Sequence, residues 1–275
     1  MVVTLLAATM ALPLPDDFNP KMNTRQQVRG EQTLQQSREA ASLTKNLVAN
    51  GTQEDIALAV KVLDALFSCQ DTDPESRIYG NYLWYYEDEG VRDPNGAAFC
   101  LASHLPMMLD HEERLPKEAR GKMRESIRLA LAAVANIDVT QMYTNIAVKD
   151  FSNTILGGQL LKDPALLERG NRKLVEWMQL TDANGIPVEY NSPTYYRVSL
   201  RALFQLVHYA TDPAVKTRAH TAIAQMDLTK ALHVHPATGL MSGPHGRAQR
   251  PVFTPSGPTN RRHIANWIEE GKLPG

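Results

Sequence analysis

Helix starts recur along this chain at a nearly constant interval. Pro164 and Pro213 each follow an Asp, and an Asp cap followed by Pro in the first turn is typical of a helix start. Pro116 lies 48 residues before Pro164, and Pro213 lies 49 residues after it. Such a period is typical of stacked helical hairpins and restricts the fold more than any local motif does.

A second series of predicted helix starts alternates with the first. Pro94 and Pro193 lie 99 residues apart, and a further helix is predicted near Tyr143, close to their midpoint. Two alternating series with one period predict an all-α fold built as an α/α-hairpin repeat. The hairpins could stack as an open solenoid or close as a toroid. In either arrangement we expect the second series to form the inner layer and the first series the outer layer.

The rest of the chain also favours helices. Residues 24–49 are rich in helix formers, and Thr52 is suited to cap a second helix that ends near Cys69. No alternating strand of useful length is evident, although short extended pieces are expected near 186–190 and 232–241.

Composition excludes several classes of partner. The 275 residues carry 29 Lys plus Arg against 30 Asp plus Glu, a balance that predicts neither nucleic-acid binding nor a polybasic membrane patch. Cys69 and Cys100 lack metal spacing and are expected to be buried thiols, with a disulfide as the alternative in an exported protein. His233 and His235 lack a third ligand at a recognisable spacing, so no metal site is predicted.

The N-terminal residues 1–15 resemble the apolar part of a secretory signal. The run is too short to span a bilayer, and no Lys or Arg precedes it. It favours a periplasmic or secreted protein, with a cytoplasmic location as the alternative. Residues 20–275 are predicted to form one domain.

The segments that precede the second series of helices are unusually rich in aromatic and polar residues. They read IYGNYLWYYEDEGVRD, NIDVTQMYT and GIPVEYNS, and one further period predicts a fourth segment where the chain reads LMSGPHGRAQR. The first series begins with the plainer LPKEA, DPALLE and DPAVKT. Because equivalent segments of a repeat share one rim, the sequence predicts one functional rim and one structural rim.

The functional rim supplies two groups of candidate residues. Those expected to perform chemistry are Asn145, Tyr195, Tyr196, His245 and Arg247. The Tyr, Asn and His residues each also have a non-catalytic interpretation. A Tyr can pack in the core, an Asn can cap a helix, and a loop His is usually a surface residue. Those expected to bind a substrate, by stacking on sugar rings or by hydrogen bonding, are Trp84, Tyr85, Tyr86, Glu189, Asn191 and Arg197.

Four stretches carry a resemblance to a known group of proteins. GNYLWYYEDEGVRDPNGAAF, MYTNIAVKDFSNTILGGQLL, NGIPVEYNSPTYYRVSLRAL and GLMSGPHGR resemble uncharacterised, often exported bacterial proteins. That group is similar to the (α/α)-toroid polysaccharide lyases of the alginate lyase and heparinase II/III-like groups. The likeness covers about residues 75–250.

The sequence departs from this group in two respects. It reads His245-Gly246-Arg247 where the group usually has His-Ser-Arg with a Tyr soon after. The chain also has room for about eight or nine helices, whereas a closed six-hairpin toroid needs twelve. The resemblance therefore implies an incomplete toroid, or one truncated at its C-terminus.

The resemblance implies a polysaccharide lyase that cleaves a uronate-containing glycan by β-elimination without a cofactor. The sugar, the linkage and the oligomeric state stay open. A non-catalytic carbohydrate-binding or scaffold protein is one alternative. Another is a glycoside hydrolase that uses two carboxylates from the functional rim. The carboxylates available there are Glu87, Asp88, Glu89, Asp93 and Glu189.

Overall fold

The computed structural model describes residues 10–91, 93–235, 240–248 and 269–270. The fold is mostly helical, with 61% helix and eight α-helices over the described part of the chain. Two compact units divide it, Met1–Asp138 and Val139–Gly275. The single domain expected over residues 20–275 stays a prediction.

The first unit begins with a small antiparallel sheet. Its strands are β1 (Phe18–Asn19), β2 (Thr24–Arg29) and β3 (Gln32–Gln35). Arg29 pairs with Gln32, and Gly30 takes a φ of 60° at the first turn position, which suits a two-residue hairpin turn. The helix predicted over 24–49 is therefore wrong in its first half, because this turn and cross-strand pairing outweigh the helix propensity of Gln, Arg and Glu.

Two helical hairpins complete the first unit. Its helices are α1 (Ser37–Asn50), α2 (Gln53–Phe67), α3 (Gly96–His111) and α4 (Lys117–Ile137). Helix α1 packs on α2, α3 packs on α4, and α1 also packs on α3. Thr52 caps α2, as the sequence predicts, and the structure adds a reciprocal capping box with Asp55.

The second unit repeats this pattern. Its helices are α5 (Thr144–Leu161), α6 (Pro164–Asn184), α7 (Tyr196–Tyr209) and α8 (Pro213–Leu232). Helix α5 packs on α6, α7 packs on α8, and α5 also packs on α7. The side chains of Asp163 and Asp212 cap α6 and α8, which confirms both Asp-Pro starts. Short strands β4 (Val234–His235) and β5 (Leu240–Met241) pair within the region predicted to be extended, whereas 186–190 forms no strand.

Helix α5 is the most enclosed element of the second unit. Every residue from Thr144 to Gly158 is buried, whereas α6 buries one face. Inside this contact the fully buried Asp150 pairs with Arg169 at 2.6 Å and with Lys173 at 2.8 Å. A buried carboxylate needs such partners, and here both come from α6. The pairing therefore fastens α5 to α6.

Both cysteines are free and buried, which confirms the expected buried thiols. Burial raises the pKa of Cys69 to about 12. Among the described residues, no helix combines the length and the apolar character required to cross a membrane. Residues 1–9 of the signal-like segment lie outside the described residues. Within the rest of that segment, the backbone N–H of Leu12 donates to the carboxylate of Asp55 at 2.9 Å.

The first unit also contains a buried histidine, which should make the stability of the protein sensitive to acid. His104 is fully buried on α3, with its ring centroid 6.3 Å from that of Tyr82, and burial lowers its pKa from 6.5 to about 3. Below pH 6.5 the unfolded chain binds a proton that the folded chain does not, so stability falls as the pH drops towards 3.

We therefore expect His104→Phe to flatten this pH dependence. Between pH 7 and pH 5 the loss in the free energy of unfolding should shrink by up to about 2 kcal/mol, since each pK unit corresponds to about 1.4 kcal/mol. Urea unfolding at the two pH values measures it, and the exposed His220→Gln is the control. An unchanged pH dependence in His104→Phe would contradict the assignment.

Candidate functional site

The segment between α6 and α7 begins and ends with defined backbone features. Gly185 ends α6 with a φ of 74°, and Tyr195 occupies the cap position of α7. No side chain of Tyr195 caps the helix, and Oγ of Ser192 accepts from the N–H of Tyr195 at 3.1 Å just before it. The remaining polar side chains of this segment are therefore not needed to start the helix.

The carboxylate of Glu189 links three segments of the second unit. Its side chain is 5% exposed. Oε2 accepts from the backbone N–H of Asn145 at 2.7 Å and from Nδ2 of the same residue at 2.8 Å. Oε1 accepts from Nη1 of Arg247. The start of α5, the segment before α7 and the loop after β5 thus meet at one buried charge.

Arg247 connects this carboxylate to two tyrosines. Its guanidinium lies 4.4 Å from the ring centroid of Tyr195 and 4.9 Å from that of Tyr143, and Nη2 donates to the hydroxyl of Tyr195 at 3.3 Å. Burial opposes the positive charge, but hydrogen bonds to Glu189 and Tyr143 outweigh it and raise the pKa of Arg247. A permanent cation therefore lies beside a phenol oxygen.

His245 and Asn191 help to fix the loop after β5, which carries Arg247. Nδ2 of Asn191 donates to the carbonyl oxygens of Ser242 at 2.6 Å and Pro244 at 2.9 Å. Nδ1 of His245 lies 3.3 Å from the carbonyl oxygen of Asn191. Three buried atoms here have no hydrogen-bond partner within the described part of the chain: Oδ1 of Asn145, Oδ1 of Asn191 and Nε2 of His245. Buried polar atoms are normally paired, so these three are available to a ligand.

Tyr196 differs from its neighbour Tyr195. It is 6% exposed, and its hydroxyl donates to Asp227 on α8. Burial and then this carboxylate raise its pKa. Arg197 is exposed on α7. The core-packing alternative therefore describes Tyr196, whereas the half-buried Tyr195 contacts Arg247.

The aromatic run at Trp84–Tyr86 belongs to the first unit. The Trp84 ring packs edge-on against Phe99 with ring centroids 5.3 Å apart, and the Arg38 guanidinium lies 5.1 Å from the Trp84 ring centroid. Tyr85 is 9% exposed, and burial raises the pKa of Tyr86. The ring of Tyr85 is therefore buried inside the first unit, whereas Trp84 and Tyr86 are partly exposed.

Several acidic residues near that run satisfy backbone donors. Glu87 accepts from the N–H of Gln35 at 3.0 Å, and Asp88 accepts from the N–H of Tyr85 at 3.0 Å. Asp93 accepts from the N–H of Asn95, also at 3.0 Å. Asp88 and Asp93 therefore stabilise their own turns, whereas Glu87 satisfies a backbone N–H of β3, 52 residues away along the chain.

Two residues on α8 that contact Tyr196 were not among the residues predicted from the sequence. Asp227 binds the hydroxyl of Tyr196, and Nζ of Lys230 lies 4.3 Å from the ring centroid of Tyr196. Both lie in the series of helices that the sequence assigns to the structural role. Their i, i+3 spacing was the available signal, but a helix surface carries many such pairs. His233, from the weak metal pattern, instead contacts the carbonyl oxygen of Thr229 through Nδ1 at 2.7 Å.

Comparison with known sequences gives a family but no activity. The family described as a domain of unknown function, DUF8769, matches residues 14–251. The chain belongs to the DUF8769 family. Neither the curated proteins nor the solved structures include a significant match. The DUF8769 match extends from before β1 through the loop that carries Arg247, so all the candidate residues lie within it.

The close approach of Gly246 to the segment before α7 provides a test of loop docking. Its N–H donates to the carbonyl oxygen of Tyr190 at 3.2 Å, and an added Cβ would lie 2.6 Å from that oxygen. We expect Gly246→Ala to lower the free energy of unfolding by about 1–3 kcal/mol, since the backbone must move apart. Urea unfolding measures the loss.

Gly243→Ala is the matched control in the same loop. A Cβ there would have its nearest neighbour at 3.9 Å, an ordinary contact. We expect a change within about 0.5 kcal/mol. Equal effects of the two substitutions would show that the loop does not dock as described.

Proposed function

We propose that this DUF8769 protein is a carbohydrate-active enzyme, a lyase that cleaves a uronate-containing glycan by β-elimination. The observation that carries the proposal is that Asn145 and Arg247 both bind the buried carboxylate of Glu189, while Arg247 also donates to Tyr195. His245 lies on the same loop as Arg247 and contacts Asn191. These residue types suit the chemistry because elimination needs cationic or amide donors for a carboxylate and a group that accepts a proton.

In the proposed reaction a base removes the C5 proton next to the uronate carboxylate. That proton becomes acidic when donors neutralise the carboxylate and stabilise the developing enolate. Arg247 has five N–H donors, and its contacts with Glu189, Tyr195 and Tyr143 engage three of them. We assign carboxylate binding to the remaining donors, with the Asn145 side chain completing the polar site. Glu189 positions both residues.

Tyr195 is the proposed base and the acid that protonates the leaving O4. Nη2 of Arg247 donates to the Tyr195 hydroxyl, and a phenol needs such a neighbouring cation to act as a base near neutral pH. Nε2 of His245 lies on the same loop as Arg247 and can share the proton transfer. No step in this scheme requires a cofactor.

We also propose that the hairpin repeat continues as an incomplete (α/α) toroid. The helix starts at Gly96, Thr144 and Tyr196 follow one predicted series, and those at Lys117, Pro164 and Pro213 follow the other. Export through the signal-like residues 1–15 fits an enzyme that acts on an extracellular polysaccharide.

A glycoside hydrolase is the second candidate function, because the buried carboxylate of Glu189 could serve as one of its two catalytic carboxylates. Hydrolysis needs a second carboxylate about 5–5.5 Å or 6.5–9.5 Å away. A panel of polyuronates distinguishes the candidates, since elimination creates an unsaturated uronate that absorbs ultraviolet light, whereas hydrolysis creates reducing ends without that absorbance. Binding without either product supports the carbohydrate-binding alternative.

We expect Tyr195→Phe and Tyr196→Phe to separate catalysis from packing. Tyr195→Phe should slow elimination by ~10²–10⁴-fold with little change in melting temperature, because the ring still packs and one hydroxyl is lost. Tyr196→Phe should lower the melting temperature and retain elimination activity, because the hydrogen bond between the buried Tyr196 and Asp227 is lost. His245→Gln tests the proposed proton partner.

Initial elimination rates and melting temperatures of the three variants provide the measurement. Wild-type elimination rates in all three would refute the Tyr195 and His245 assignment. A parent protein that produces no ultraviolet-absorbing product from any polyuronate would remove the lyase proposal itself.

A further inference from the structure

Asp55, in the first turn of α2, is a buried carboxylate that no cation accompanies within the described residues. It is 3% exposed. Its Oδ2 accepts from the hydroxyl of Thr52 at 2.6 Å and from Nδ2 of Asn50 at 2.5 Å. None of the ion pairs in the described part of the chain includes Asp55. Such burial is unusual, because a buried acid normally has a positive partner and the start of a helix contributes only a partial charge.

The other oxygen of this carboxylate binds the backbone nitrogen of Leu12. The N–H of Leu12 donates to Oδ1 of Asp55 at 2.9 Å, and Nδ2 of Asn50 also donates to the carbonyl oxygen of Met10 at 2.9 Å. Burial raises the pKa of Asp55, but hydrogen bonds from Thr52, Asn50 and the N–H of Leu12 outweigh it and lower the pKa. An ionised carboxylate is therefore in direct contact with the nitrogen of Leu12.

The residues directly before Leu12 match the pattern that a signal peptidase recognises. Residues 2–8 read VVTLLAA, which is apolar apart from one Thr, and small side chains follow at Thr9 and Ala11. A signal peptidase needs small residues at the first and third positions before the bond that it cleaves, and these are Ala11 and Thr9 for cleavage before Leu12. Met10 is 86% exposed and Ala11 is exposed, whereas Leu12 is half-buried. Burial of this segment therefore begins at Leu12.

We propose that a signal peptidase hydrolyses the Ala11–Leu12 bond during export and that the new N-terminal ammonium of Leu12 forms a buried ion pair with Asp55. Water is the co-reactant. The C–N bond breaks, the hydroxyl group goes to the carbonyl carbon of Ala11, and a proton goes to the nitrogen of Leu12. Near neutral pH the released amine takes up a further proton, and the adjacent carboxylate favours this charged form.

Cleavage changes the electrostatics at the start of α2 without moving the atoms that meet there. The contact of 2.9 Å between a neutral N–H and the carboxylate becomes a contact between opposite charges. Asn50 and Thr52 already hold the other oxygen, so the carboxylate is oriented towards the new ammonium. The processed chain thus gains a pair that the unprocessed chain does not have. This inference rests on the export part of the proposed function and is independent of the elimination chemistry.

The N-terminus of the exported protein tests the cleavage. The full chain is expressed in a bacterium, recovered from the periplasm, and analysed by N-terminal sequencing and intact mass. We expect the recovered chain to begin at Leu12. An exported chain that begins elsewhere would overturn this inference alone, whereas a full chain retained in the cytoplasm would overturn both the inference and the proposed export.

Ala11→Phe and Ala8→Phe are the matched variants for the cleavage site. A large ring directly before the cleaved bond should block hydrolysis, so Ala11→Phe should retain residues 1–11. Ala8→Phe places the same ring four positions before the bond, outside the two positions that must be small, and should still give a chain that begins at Leu12. The same N-terminus in both variants would overturn the proposed site.

Melting temperatures test the ion pair. The processed wild-type chain is compared with the unprocessed Ala11→Phe chain, and both are then measured again with Asp55→Asn added. We expect the processed chain to melt about 2–4 °C higher, because only it contains the ion pair. The difference should vanish with Asp55→Asn, since no carboxylate remains to pair. An equal difference in both backgrounds would overturn the ion pair.

Labelling of the N-terminal amine tests the same contact without a substitution at Asp55, in case that variant does not fold. The processed chain is treated with acetic anhydride at about pH 7.5, both folded and in guanidinium chloride, and the N-terminal peptide is quantified by mass spectrometry. We expect at least ~10-fold slower labelling in the folded chain, because an ammonium held by a carboxylate is seldom neutral. The exposed Lys117 is the internal reference and should change less. Equal slowing at Leu12 and Lys117 would overturn the proposal.

Discussion

The charge of Glu189 is the constraint on which the candidate site depends. A carboxylate that is 5% exposed is costly unless donors surround it. Its donors are the backbone and side chain of Asn145 and the guanidinium of Arg247, which come from segments 44 residues before it and 58 residues after it. These distant segments meet because one buried charge needs all of them.

The same interaction determines how Arg247 is presented. Arg247 and Asn191 both take a φ of 49°, a conformation that non-glycine residues rarely adopt. Such backbone persists where surrounding contacts fix it, and it concentrates at functional sites. Here the contacts are the ion pair with Glu189 and the bonds from Asn191 to the loop carbonyls. These contacts therefore hold Arg247 in a backbone conformation that it would rarely adopt without them.

The sequence predicts the helices of this chain better than it predicts which side chains contact one another in the candidate site. Asp163-Pro164 and Asp212-Pro213 mark helix starts through local chemistry alone, so both predictions are confirmed. The hairpin at 24–35 was missed because its residues favour helix individually, and cross-strand pairing decides the outcome.

For the candidate site, the sequence predicts which residues lie near one another but not which contacts they make. The period of about 49 residues grouped Asn145, Glu189, Tyr195 and Arg247, but spacing does not determine which side chains bond. It likewise could not distinguish Tyr195 from Tyr196, because that difference comes from Asp227 on another helix.

A double-mutant cycle on Glu189→Gln and Arg247→Met tests the central claim most directly. Free energies of unfolding in urea are measured for the parent, both single variants and the double variant. We expect a coupling energy of about 1 kcal/mol, at the lower end for contacting charges because the Arg247 side chain is 38% exposed. Effects that add to within about 0.3 kcal/mol would contradict the claim that this ion pair holds the site together.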